Sequence, residues 1–194
     1  SAYLMLFHTD AHNFNTEDSI WKLDSNTTVN MSGQKIILYG VQSHSSYTTG
    51  SGMVNDGIIT ADAGTTATTS QGTSYTGLNP YQRIIFTTID ADSGSISRYN
   101  RYFYFTNNGT ITLNGTSDVL ANFATPGSST GGTRFTNNSV VHLNGQSSVG
   151  IMLNSGVSNF GNSQILLNSP IEISGDKSVG VQLTNSNFNL GNSK

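Results

Sequence analysis

Apolar and polar residues alternate along most of this chain, in short runs. From Ile171 the order is Ile-Glu-Ile, a turn at Ser174-Gly175-Asp176-Lys177, then Val179-Gly-Val-Gln-Leu183, a polar corner, and Phe188-Asn-Leu190. A period of two is that of a strand with one buried face, and no stretch has the 3.6-residue spacing of an amphipathic helix. The pattern also recurs. Runs beginning at Phe105, Phe135 and Ile165 lay Asn108 over Asn138 and Asn168, and Leu113 over Leu143 and Ile173. They also lay Gly115 over Gly145 and Gly175, and Val119 over Val149 and Val179. The second and third copies agree at eleven of thirty positions, which makes thirty residues the structural unit.

Three short strands and three corners per unit describe a coil that cannot cover its own apolar face. Such coils stack, each strand pairing in parallel with its counterpart about 4.8 Å away. The predicted fold class is therefore all-β: a parallel β-helix, or solenoid, with coils of about thirty residues. The inward columns are expected to be Ile111/Val141/Ile171 and Leu113/Leu143/Ile173, with Val119/Val149/Val179 around the bend. Ile151/Val181, Leu153/Leu183 and Phe160/Leu190 continue them. Gly115, Gly145 and Gly175 are expected to take positive φ at the corners. The Asn108/Asn138/Asn168 and Asn162/Asn192 columns are expected to form stacked amide ladders. His142 and Glu172 share an outward column, where an exposed pair of this kind contributes about 0.2–1 kcal/mol.

An earlier form of the unit starts near residue 23. Leu23, Asn26, Val29, Met31, Gly33 and Ile37 match Phe105, Asn108, Ile111, Leu113, Gly115 and Val119 in order and spacing. The chain reads as one β-helix segment, 1–194, cut from a longer protein. Its coils are regular at 23–41 and 105–194, and residues 42–104 form irregular coils with protruding loops. Loops beyond about fifteen residues are uncommon unless they are functional or disordered.

Composition narrows the function. Charged residues are 10 % of the chain, the net charge is −3, and the eight Lys and Arg are scattered. A nucleic-acid surface needs clustered cations, so that partner is not expected. There is no cysteine, hence no disulfide and no thiolate metal site. His8, Asp10 and His12 lie within five residues but lack the further ligands of a structural zinc site, and read as a solvated loop with Glu17 and Asp18. No metal, cofactor or catalytic residue is expected.

The run Ile-x-Ile-Ser-Gly-Asp-Lys-Ser-Val-Gly-Val-Gln-Leu (171–183), with Val-Val-His-Leu-Asn-Gly (140–145) and Ser-Val-Gly-Ile-Met-Leu (148–153), resembles the passenger repeats of type V secretion (autotransporter) adhesins. It is most similar to those of the large fusobacterial outer-membrane adhesins. The resemblance covers residues 105–194, and 23–41 in part. It implies a right-handed parallel β-helix stalk displayed on the cell surface and anchored in the outer membrane by a C-terminal barrel not present here. The implied partners are a host-cell surface protein or glycan receptor, or another bacterium's surface, and the implied role is adhesion and virulence rather than chemistry.

The irregular region supplies the candidate contacts. Residues 75–105 gather tyrosines and arginines, the types enriched at interaction hot spots. Tyr75, Tyr81, Arg83, Arg98, Tyr99, Arg101 and Tyr102 are the expected partner-binding residues, while Phe86, Phe103 and Phe105 are expected in the core. Two alternatives remain. In a polysaccharide-acting enzyme, Asp90 and Asp92 would be the paired carboxylates, with Arg98 and Arg101 nearby. In a structural spacer, the segment would have no binding site of its own.

Overall fold

The computed structural model describes residues 3–10, 19–43, 50–62, 78, 80–90, 102–123, 132–154, 163–184 and 193–194. Among these are sixteen β-strands and no helix. The strands fall into three parallel sheets, each gathering every third strand. Sheet I holds β2 (Ser19–Leu23), β5 (Ser51–Asn55), β8 (Tyr102–Asn107), β11 (Gly132–Asn137) and β14 (Gln164–Leu167). Sheet II holds β3 (Thr28–Met31), β6 (Ile58–Ala61), β9 (Thr110–Leu113), β12 (Val141–Leu143) and β15 (Ile171–Ile173). Sheet III holds β1 (Leu4–Asp10), β4 (Ile36–Ser43), β7 (Arg83–Asp90), β10 (Asp118–Phe123), β13 (Val149–Asn154) and β16 (Val179–Thr184). This is a parallel β-helix, five three-strand rungs preceded by the single strand β1.

The last three rungs carry the predicted thirty-residue register. Phe105, Phe135 and Ile165 pair in sheet I, Ile111, Val141 and Ile171 in sheet II, and Val119, Val149 and Val179 in sheet III. The first rung differs by a slip. Trp21, not Leu23, stands under Met53 and Phe105, because the corner between β2 and β3 is two residues longer than its counterpart between β5 and β6. Residues 51–61 and 83–90 supply a complete second rung. Relative to the first, that rung carries seventeen additional residues between β6 and β7, judged by Ile59 to Ile84 against Val29 to Ile37.

The interior is filled from all three sheets. Ile111, Leu113, Val141, Leu143, Ile151 and Leu153 are buried in one continuous core with Phe86, Phe103 and Phe105. An aromatic file runs through it. Phe7 stacks on Trp21 at 4.4 Å, Trp21 on Tyr39 at 5.5 Å, Tyr39 on Phe86 at 5.9 Å and Phe86 on Phe105 at 5.1 Å, and Phe135 meets Phe105 edge-on at 5.0 Å. Fully burying a side chain of this size contributes about 1.5–3 kcal/mol. Core residues of the last rung lose their cover: Ile173, Val181 and Leu183 are exposed. Val119 and Val149, expected inward, belong instead to a second cluster with Tyr3, Ile37, Leu78, Ile84 and Met152. They lie beneath Leu78 and Tyr81, which come from the extra residues of the second rung. Phe160, Leu190, Asn162 and Asn192 lie outside the described residues.

The corners correct one expectation. Positive φ falls on Lys35, Ser117, Ser147 and Lys177, whereas Gly115, Gly145 and Gly175 lack it. These glycines are needed for close approach. A Cβ on Gly145 would stand 1.8 Å from the Gly115 carbonyl oxygen, and one on Gly175 1.8 Å from that of Gly145. Backbone meets backbone there, so only a residue without a side chain permits the rung spacing.

Amide ladders tie the same layers. Asn168 Nδ2 donates to Asn138 Oδ1 at 2.7 Å, and Asn138 Nδ2 to Asn108 Oδ1 at 2.8 Å, as the repeat predicts. Asn108 then donates to Asp56 at 2.9 Å, and Lys22 Nζ stands 2.9 Å from the other Asp56 oxygen. The Asn108 amide, and then Lys22, hold the Asp56 carboxyl below its usual range. A second ladder, one residue earlier, is buried. Asn55 Nδ2 donates to Asn107 Oδ1 at 3.0 Å, and Asn107 Nδ2 to Asn137 Oδ1 at 2.9 Å. Asn107 also accepts from the Gly109 N–H at 3.3 Å.

The two ladders differ in what they cost to break. Asn107→Ala strands buried donors and acceptors on both neighbouring rungs and is expected to destabilise by about 2–3 kcal/mol in urea unfolding. Asn138→Ala breaks solvent-exposed bonds and is expected to cost less than about 1 kcal/mol. Equal losses would contradict the assignment of the buried ladder as the stronger tie.

Candidate binding surface

Three of the seven predicted contact residues fall among the described residues. Tyr75, Arg98, Tyr99 and Arg101 lie outside the described residues, as do Asp92, His12 and the side chain of Asp90. Tyr81, Arg83 and Tyr102 are described, and they occupy three different environments.

Tyr81 lies over the outer face of sheet III. Its hydroxyl donates to Gln182 Oε1 at 3.2 Å, reaching from the second rung to the last. The Tyr3 hydroxyl donates to the Leu78 carbonyl and stands 2.5 Å from that of Tyr81. Lys35 Nζ donates to the Tyr81 carbonyl at 3.1 Å and lies 5.2 Å from the Tyr3 ring centroid. Burial pushes the Tyr3 and Tyr81 hydroxyls up and pulls the Lys35 ammonium down. This arrangement seals the outer cluster and leaves Tyr81 only partly available.

Arg83 is not on the surface at all; it is 1 % exposed. Its Nε donates to Asp118 Oδ1 at 2.8 Å, Nη2 to Asp118 Oδ2 at 3.3 Å, and Nη1 to the Gly33 carbonyl at 3.2 Å. A Cβ on Gly115 would collide with Nη2 at 1.4 Å. In the corners above, each glycine is packed by the carbonyl of the glycine one rung before it. In the second rung the chain takes its seventeen-residue detour at this place, and the Arg83 guanidinium occupies the layer between Gly33 and Gly115. Arg83 is therefore removed from any contact surface, because its charge is consumed in replacing a missing corner. Burial pushes the Asp118 carboxyl up to about 6, against the pull of Arg83. The sequence held a signal for this pair. Arg83 and Asp118 fall in one repeat column, directly paired in sheet III, once Ile84 is laid over Val119.

Tyr102 faces outward from sheet I, where burial alternates along β8. Its ring lies 6.2 Å from that of Tyr104, and the Arg134 guanidinium carbon stands 4.0 Å from the Tyr102 ring centroid. Tyr104 pairs in register with Arg134, and Arg134 with Gln164. Gly52 is paired with Tyr104 and Gly132 with Tyr102, and both glycines are buried. Tyr104, Arg134 and Gln164 were not among the predicted contacts. They become a group only when sheet I is assembled.

His142 and Glu172 are paired in register, with Nδ1 3.3 Å from Oε2; Glu172 is exposed and His142 half-buried. Among the described residues no group of three His, Cys, Asp or Glu is placed to hold a metal ion. No family model, curated protein or solved structure matches the chain.

Removing Arg83 tests its structural role. Arg83→Met leaves the Asp118 carboxyl buried without its partner and is expected to cost about 3–5 kcal/mol at pH 7.5. Joint replacement as Arg83→Met/Asp118→Leu is expected to recover most of that loss. The pH dependence has a defined sign. The native Asp118 pKa lies above its unfolded value, and losing the guanidinium raises it further. The folded state then binds the proton more tightly, so the single variant regains stability as pH falls from 7.5 towards 4.5. Urea midpoints at the two pH values check both statements.

Proposed function

We propose that this chain is a segment of a cell-surface adhesin passenger, in which the β-helix is a rigid stalk and a lateral surface makes the contact. The role is binding rather than catalysis, and the partner is a host-cell surface protein or glycan, or another bacterium's surface. The resemblance of residues 105–194 to autotransporter adhesin repeats, with an outer-membrane anchor in a further part of the protein, supports this reading. The observation that carries it is the division of labour among side chains. Inward residues, corner glycines and asparagines are spent on stacking, whereas Tyr102, Tyr104 and Arg134 gather on the outer face of sheet I, with the Arg134 guanidinium over the Tyr102 ring. Tyr and Arg concentrate binding energy at interfaces because they combine large contact area with directed donors.

Binding of the fluorescently labelled 194-residue chain to epithelial cells and to co-colonising bacteria, followed by flow cytometry, tests the proposal. Saturable binding is expected. It should fall at least tenfold in the Tyr102→Ala/Tyr104→Ala variant, with the far-ultraviolet β signature retained. A folded chain that binds no cell surface would reduce the segment to a spacer.

A further inference from the structure

The outer face of sheet I has a chemical character of its own. Its described outward positions carry two cations, Lys22 and Arg134, and no acid. Lys22 is spent on Asp56 at the corner. Arg134 is different. Its guanidinium is fixed over the Tyr102 ring at 4.0 Å, and its Nε is sealed against the sheet with no acceptor. No carboxylate among the described residues pairs with it. The chain has a net charge of −3, so an ordered guanidinium with unspent donors is a local exception.

We propose that Tyr102, Tyr104 and Arg134, with Gln164 beside them, form a docking site for an acidic saccharide. This rests on the adhesive reading above and gives it a ligand class. Arg134 would pair its two outward nitrogens with a carboxylate or sulfate, the planar bidentate match that guanidinium makes with such groups. Stacking on Tyr102 holds the fork in place before the ligand arrives, which lowers the entropy lost on binding. The Tyr104 ring, half-buried on the same face, would offer an apolar surface to the C–H side of a sugar ring.

An acidic peptide fits less well. Peptides gain affinity on a sheet by adding a strand to an open edge. Both β8 and β11 are interior strands of sheet I, with β5 on one side and β14 on the other. Only side chains are offered here, on a flat face, and that favours a ring-shaped ligand over a backbone.

The test uses the full chain in titration calorimetry and surface plasmon resonance. The probes are a tetragalacturonate, a heparin-derived octasaccharide, neutral maltotetraose and hexaglutamate. The proposal expects binding of one or both acidic saccharides, weakened by raising salt from 50 to 500 mM, and at least tenfold weaker binding to maltotetraose. Arg134→Gln should lose at least tenfold in affinity and Arg134→Lys should recover only part of it. Tyr104→Leu serves as a second variant should the Arg134 changes disturb folding. Preference for the carboxylated or the sulfated probe identifies the anionic group. Equal affinity of wild type and Arg134→Gln, or binding of hexaglutamate without either saccharide, overturns the assignment. If Arg134→Gln still binds cells like wild type, this site fails while the adhesive reading stands. If wild type binds neither cells nor saccharides, both fail.

Discussion

Every rung of this protein must lie one strand spacing from the last, in fixed register, and that constraint governs most of the other choices. Its strictest expression is at the corners Gly145 and Gly175, where a methyl group would stand 1.8 Å from a backbone oxygen of the preceding rung. Where backbone is stacked so closely, each corner fixes the height of the next. The Asn ladders work at the same spacing, since an amide can donate to its copy at 2.7–3.0 Å only if the copies are one rung apart. Side-chain identity at these positions is thus a property of the stack, not of any single coil.

Arg83 shows what happens where the stack is interrupted. The extra residues between β6 and β7 remove one corner from the column, and the gap would otherwise separate Gly33 from Gly115. A guanidinium fills that layer, bonded to the Gly33 carbonyl below and to Asp118 above. The cost is a buried ion pair, whose desolvation offsets much of its Coulomb gain. The same detour returns Leu78 and Tyr81 across sheet III and creates the outer cluster on Ile37, Ile84, Val119 and Val149. One insertion therefore explains both a buried charge and a second small core.

Much of the architecture could be read from the sequence, because a period of thirty with alternation of two leaves little choice of fold. Asn108, Asn138 and Asn168 were legible as a ladder, and His142 and Glu172 as an outward pair, since a shared repeat position fixes a shared column. What the repeat hid were features that break it. The slip at residues 24–28 placed Leu23 where Trp21 belongs. The second rung was legible only as irregular coils within 42–104, because its insertion separates Ile59 from Ile84, and Arg83 looked like an exposed cation. The glycines were recognised as necessary for the wrong reason: their need comes from the neighbouring rung, which no local pattern reveals. The Tyr102–Tyr104–Arg134 group likewise spans two rungs, and Arg134 sits in a copy whose sequence otherwise marks it as regular.

Glycine substitutions in the stack test the central constraint most directly. Gly145 and Gly180 are both in the repeat, but a Cβ on Gly180 would meet nothing closer than Ile173 Cδ1 at 3.6 Å. Urea unfolding of the two alanine variants should therefore diverge. Gly145→Ala is expected to lose about 3 kcal/mol as adjacent rungs are forced apart, whereas Gly180→Ala should stay within about 0.5 kcal/mol of wild type. Equal stability of the two variants would contradict the account that rung spacing, enforced by backbone contact at the corners, holds the solenoid together.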